Sequence, residues 1–441
     1  MVLLWQCNII CSICLLSFLA GPLLPQENQD LKTKIQAIQR EIEDIRGEKF
    51  KTDVAVQNQS VEEFGEYIDR ALERQIPPDL AANYGRVVKK LGLYRGPEIK
   101  NFLAMARMVF QSQAAAYYDP SANTFYVVMQ NLPDAMLSAV YAHELYHGFQ
   151  DQRHDLDKYI LSPADGKLTD DELMARQAVV EGEATYIMTL WTLKKMFGAV
   201  PDSSVLRMSI NMQSQLSTAR LLDMVKQGAA AQAGSKEIDD ALQALDKIPP
   251  FMVETMVGAY LKGMNFIFET QRAGWQKVDE LYSRPPVSTE QILHPEKWAT
   301  HEQPYRYQWP DQSAEPTLSG WKLLESNTLG ELQWRIIFVE YSLESLHLSA
   351  ADGWDGDSFM VFENKNDGRL LLLLYTSWDS DKDVREFRHA YEQLLEIKYP
   401  AQTESTRLVT DGLDVLIIEG GDPNDTEEIL AYLRKVKKVK N

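Results

Sequence analysis

Apolar positions change spacing several times along the chain, and each change predicts an element. From Val2 to Leu24 they are nearly continuous, interrupted only by Gln6, Asn8, Cys and Ser residues before Pro22 and Pro25. Such a run reads as an export signal or an uncleaved signal anchor, residues 1–25, although no Lys or Arg precedes Lys32. Leu31, Ile35, Ile38, Ile42 and Ile45 then recur in alternating steps of four and three, an a/d seam with charged residues on the other faces. Such a helix either packs on its own domain or stands as a stalk. With the polar stretch Gly47–Asn58 as a linker, it forms residues 26–58. Ser60 with Glu63 has the form of a capping box for a helix carrying Val61, Phe64 and Ile68 on one side.

Asn101 to Val109 has helical composition. Ala114–Tyr118 and Thr124–Met129, separated by Asp119-Pro120-Ser121-Ala122-Asn123, predict a strand hairpin whose second strand is either an edge, open to an extended peptide, or interior. Pro133-Asp134 opens a helix running through Gln152, and Asp170-Asp171 opens another ending near Gly198. Further helices are predicted at Ser204–Lys226, Glu237–Leu245 and Phe251–Arg272, before Pro285, Pro286 and Pro295 end the helical part. After about Gln303 the texture changes. Trp334–Tyr341, Phe359–Glu363, Leu370–Tyr375, Thr406–Val409 and Val415–Glu419 read as strands, and Asp383–Ile397 and Thr426–Val439 as helices. The fold class is therefore α+β: a mainly helical domain with a small strand hairpin, residues 59–302, followed by a smaller α+β domain, residues 303–441.

Composition narrows the function. The 441 residues carry 45 Lys plus Arg against 64 Asp plus Glu, a net charge of −19. That balance argues against nucleic acid as a partner and against a polybasic grip on lipid, leaving membrane attachment to the N-terminal segment alone. The three cysteines, Cys7, Cys11 and Cys14, all precede the body of the chain, so any metal there must be held by nitrogen and oxygen.

One short stretch carries specific chemistry. Tyr141-Ala142-His143-Glu144-Leu145-Tyr146-His147 contains His-Glu-x-x-His, and the chain has only seven histidines. On a helix, His143 and His147 share a face and can reach one ion, while Glu144 is offset to act on water as a general base. A third ligand is needed. Arg153 stands six residues beyond His147, where a metzincin has its third histidine, and His154 is one residue out of register. Glu181, in Val179-Val180-Glu181-Gly182-Glu183-Ala184 on the next long helix, is the better candidate. Glu183 lies about 200° further around that helix, so only one of the two can face the metal.

His-Glu-x-x-His followed by a helix with Glu-Gly-x-Ala-x-Tyr resembles the gluzincin zinc metallopeptidases, and the resemblance implies Glu181 as third ligand to Zn2+. More closely, His143 to Gln152, Glu181 to Ala184, Tyr260 to Phe266 and Pro285 to Pro295 are similar to motifs of a group of exported prokaryotic proteins. The helical domain is accordingly expected to be zincin-like.

Around this core, Asp151 is a candidate to orient a ligand or an ordinary surface carboxylate, and Glu183 a candidate for the same task or a salt bridge. Tyr260 and His294 are candidates to stabilise an oxyanion, with core packing and a loop cap as their respective alternatives. Asp352-Gly353-Trp354-Asp355-Gly356-Asp357 lacks the spacing of a calcium loop and reads as a turn anchored by its Trp. The expected activity is hydrolysis of a peptide or protein substrate by an exported zinc metallopeptidase, periplasmic, secreted or membrane-anchored. The alternative is a non-catalytic, zinc-stabilised binding or assembly protein of the cell envelope.

Overall fold

A computed structural model describes residues 10–13, 31–76, 78–128, 134–160, 168–214, 248–343, 345–400 and 405–440. The helix expected at Glu237–Leu245 and most of the apolar segment Val2–Leu24 lie outside these residues. The fold is α+β, a mainly helical part followed by a smaller α+β part. Among the described residues no helix is long and apolar enough to cross a membrane.

The first sheet has four strands in the order β1-β3-β4-β2: β1 (Ile10–Ile13), β2 (Ala55–Asn58), β3 (Ala114–Asp119) and β4 (Thr124–Val127). β3 and β4 form the expected hairpin, with Asn123 at φ 47° in its turn. Asn tolerates that left-handed conformation because its short amide can bond locally. β4 is not an edge. Ala55–Asn58, inside the stretch read as a linker, pairs parallel to it and covers its outer side.

The a/d seam forms α1 (Leu31–Arg46), whose Ile35, Ile38 and Ile42 are buried in one cluster with Tyr118, Leu145, Phe149, Ala184 and Trp191. Packing on its own domain removes that apolar stripe from water, so α1 is not a free stalk. Next come α2 (Val61–Gln75), α3 (Pro78–Leu91) and α4 (Phe102–Gln113). Ser60 caps α2 with the predicted box to Glu63; Phe64 and Ile68 are buried, whereas Val61 is exposed.

Three long helices position the site: α5 (Asp134–His154), α7 (Asp170–Phe197) and, after α8 (Ser203–Ser214), α9 (Pro250–Gln271), with α6 (Leu156–Ile160) a short turn after α5. Thr169 and Glu172 close a capping box at the start of α7, and Gly198 at φ 76° ends it. α7 and α9 cross in backbone contact. A Cβ at Gly182 would meet the Gly263 carbonyl carbon at 2.2 Å, and one at Gly263 would meet the Ala178 oxygen at 2.0 Å. Only glycine permits that approach, which relates the Glu-Gly-x-Ala and Tyr-x-x-Gly-x-x-Phe segments structurally: each supplies one side of a single crossing.

α10 (Trp275–Ser283), α11 (Thr289–Leu293) and α12 (Pro295–Ala299) lead to the smaller part. There β6 (Trp321–Asn327), β7 (Trp354–Asn364), β8 (Leu370–Trp378), β9 (Thr406–Asp411) and β10 (Asp414–Glu419) form a sheet ordered β6-β7-β8-β10-β9. A separate pair joins β5 (Arg306–Gln308) to β11 (Lys437–Val439), so the helix expected over Thr426–Val439 stops at Leu433. Trp334–Tyr341, read as a strand from its β-branched and aromatic residues, belongs to helix α13 (Gly330–Glu340). The cause is tertiary. Buried Asp357 accepts the Leu329 and Gly330 amides at 2.7 and 2.9 Å and the Trp334 and Trp354 indoles at 3.1 and 2.7 Å, fixing the first turn. Of the Asp352–Asp357 segment, read as a turn, only Asp352-Gly353 turns; Trp354–Asp357 opens β7, with the Trp354 indole bonded to Asp357. Trp334, Ile337 and Phe338 then join the same apolar cluster as α7 and α9, so one core runs beneath both parts.

Candidate metal centre

Helix α5 brings His143 and His147 to one face, with ring centroids 4.8 Å apart, and α7 brings Glu181 against them. His143 Nε2 lies 3.1 Å from His147 Nε2 and 3.2 Å from Glu181 Oε2; the His147–Glu181 separation is 3.6 Å. Ligand atoms bound at about 2.0–2.1 Å to one tetrahedral ion stand about 3.3–3.4 Å apart, so the three atoms have the spacing of a shared ion. All three side chains are buried, at 2, 0 and 4% exposure.

The charge states of His143 and Glu181 fit the same use, while that of His147 runs against it. Burial pushes the His143 imidazole down to about 4. Glu181 is held down to about 2 because His147 and His143 outweigh the burial that would raise it. Burial also lowers His147, but Glu181, Glu144 and Gln150 more than compensate and its value is raised. A metal competes with protons for these atoms, so a neutral imidazole and an ionised carboxylate are the forms it requires.

The surroundings fix the ligands. His147 Nδ1 lies 2.8 Å from Gln150 Oε1, which leaves Nε2 as the ring's outward lone pair when Nδ1 donates. The Gln150 amide nitrogen donates to the Val180 carbonyl and to Glu183 Oε2, both at 3.0 Å. Glu183 also accepts the hydroxyls of Tyr146 and Tyr282, and Arg46 of α1 stands 3.6 Å from its Oε1. Glu183 therefore faces away from the His143–His147–Glu181 grouping and reaches His147 through Gln150. Neither Gln150 nor Arg46 stood out as a site residue in the sequence. Gln150 was visible in principle, one helical turn beyond His147 on the same face; Arg46 carried no such signal.

Glu144 is wholly buried and its Oε2 accepts the Tyr118 backbone amide at 2.9 Å, fixing one carboxylate oxygen against the hairpin. Among the described residues, the hydrogen bonds of Asp151 go to the hairpin and the end of α5 rather than to His143, His147 or Glu181. It lies 2.9 Å from the Tyr118 hydroxyl and accepts the Leu156 amide at 3.0 Å, tying the end of α5 to the strand that holds Glu144. Tyr260 on α9 is buried with its ring stacked on His143 at 5.7 Å. His294 falls elsewhere, 3.1 Å from Glu331 and beside Arg335 and Asp352, where it closes the junction between α11 and α12. Its backbone occupies the C-cap position of α11 and the N-cap position of α12, with no capping bond from the side chain. His154 stacks on Tyr282 at 3.9 Å and faces Asp279.

Fold and site together define an α+β protein with a buried His-His-Glu grouping able to hold a metal ion. Residues 320–430 match the family described as a domain of unknown function (DUF8575), which covers the C-terminal sheet and leaves the metal-site helices outside. No curated protein and no solved structure matches the chain.

Proposed function

We propose that the protein is an exported zinc-dependent metallopeptidase of gluzincin type. The observation that carries this reading is the convergence of His143, His147 and Glu181 at tetrahedral spacing with Glu144 on the same helix turn. Two imidazoles and one carboxylate suit zinc among the available metals, and three protein ligands leave a position for chemistry. A bound zinc ion would supply Lewis acidity to polarise a peptide carbonyl and to acidify water. The chain's own residues do the rest. Glu144, oriented by the Tyr118 amide, takes the proton from the attacking water and delivers it to the leaving amine. Tyr260, against His143, is the nearer of the two candidates for steadying the oxyanion.

The apolar run Val2–Leu24 supports export, and with it a peptide or protein substrate outside the cytoplasm. A structural zinc site in a cell-envelope binding protein has one observation in its favour, the burial of the ligands. The two readings separate on activity. Purified protein incubated with a mixture of unstructured peptides is expected to cleave them, to stop when a chelator strips the metal, and to resume on adding zinc. A zinc-loaded, folded protein that cleaves none of them contradicts the enzyme reading.

A further inference from the structure

Away from the metal centre, a cavity of about 630 Å³ opens between α3, the segment after it, and the C-terminal part. Its size falls within the range of about 300–1,000 Å³ typical of small-molecule sites. Among the described residues, Arg86, Lys89, Lys90, Arg95, Arg369 and Lys398 line it, against one lining carboxylate, Glu98. In a chain of net charge −19, that is a local reversal of sign.

The cations are not all consumed by ion pairs. Arg86 pairs with Glu363, and Arg369 with Asp367. At the base, Glu419 is fully buried and pairs with Lys398, while Lys90 also acts on it. Lys89 donates to the Gly96 carbonyl at 3.1 Å, and the Arg95 guanidinium donates to the Glu340 carbonyl at 3.3 Å while lying over the Tyr341 ring. Both are exposed; Lys89 bonds to a neutral oxygen, whereas Arg95 also acts on the Glu340 carboxylate, which accepts its backbone amide at 2.8 Å. Tyr94, Tyr341 and Tyr399 add aromatic wall.

We infer that this cavity binds a small soluble molecule bearing two or more phosphates. Guanidinium forks and lysine point charges converging from several elements suit a polyanion with oxygens in several directions. An open cleft walled by several elements fits a soluble ligand better than the flat surface of a membrane. The inference does not depend on the metal centre, since none of these residues belongs to it. It ties the two parts of the chain together: Tyr341, Arg369, Lys398 and Tyr399 lie in the segment that matches the domain family, whereas Arg86, Lys89, Lys90 and Arg95 precede it.

The test is calorimetric titration of the full chain with ATP, beside sedimentation with phosphatidylglycerol vesicles. Saturable ATP binding is expected, weakened about tenfold or more in the Lys89→Ala/Arg95→Ala double variant, because each lost contact is a charged hydrogen bond. The unfolding curve of that variant should match the parent, because both side chains are exposed. If it does not, Lys89→Glu alone provides the same comparison. Absence of ATP binding, ATP binding that both variants retain, or binding to vesicles alone would overturn the inference.

Discussion

Glu144→Gln is expected to keep the metal and lose the reaction. The amide preserves the size of the side chain, and its oxygen can still accept the Tyr118 amide that now holds Glu144 Oε2 at 2.9 Å. It cannot accept a proton from water. General-base contributions are about 10²–10⁴-fold in rate, so peptide cleavage should fall by about that factor with little change in substrate affinity. Zinc content and thermal stability should match the parent, because His143, His147 and Glu181 are untouched. Progress curves on one cleaved peptide, with zinc measured on the same samples, check this. If the variant retains most of the parental rate, Glu144 is not the base. If it loses zinc, Glu144 is part of the ligand set.

The second large effect is expected at a residue remote from the ion. Arg46 and Glu183 are both almost fully buried, and Arg46 also donates to the Tyr146 hydroxyl at 3.0 Å and pairs with Asp279. Removing one partner of a buried pair leaves the other charge uncompensated, which costs about 3–5 kcal/mol. Arg46→Ala should lose stability on that scale in urea unfolding. Zinc affinity should fall as well, because Glu183 steadies Gln150, and Gln150 steadies His147. Loss of such outer partners typically costs about 10–100-fold in metal affinity. The double variant Arg46→Met/Glu183→Gln removes both charges and is expected to recover most of the stability. Arg46→Ala costing under about 1 kcal/mol would show that the pair is not effectively buried, since exposed pairs are worth that little.

These two residues mark what the sequence could and could not show. The pairing of His143 with His147 was legible because helix geometry alone places positions four apart on one face. Glu181 was legible through resemblance to a known motif. The hairpin before α5, the capping box of α2 and the two ends of α7 followed from local turn and capping chemistry. Arg46 was not legible, because its role depends on α1 folding back so that its last turn meets α7; the a/d spacing shows the apolar stripe and not its partner. Trp334–Tyr341 was misread for a related reason. Its residues favour a strand, but Asp357, distant in sequence, collects the amides that start a helix. His294 illustrates the remaining gap: its residue type and neighbours suggested chemistry, and only Glu331 and Arg335 beside it show a helix junction.

The most direct test of the central claim is metal content per chain, measured on purified protein together with circular dichroism to establish folding. One zinc per chain is expected in the parent. Glu181→Ala should lose it, because Glu181 Oε2 stands at 3.2 and 3.6 Å from the two imidazole nitrogens. Glu183→Gln should retain one zinc at saturating metal, because Glu183 acts on His147 only through Gln150. A folded parent that binds no zinc, or a Glu181→Ala variant that holds it as tightly as the parent, would contradict the metal centre described above.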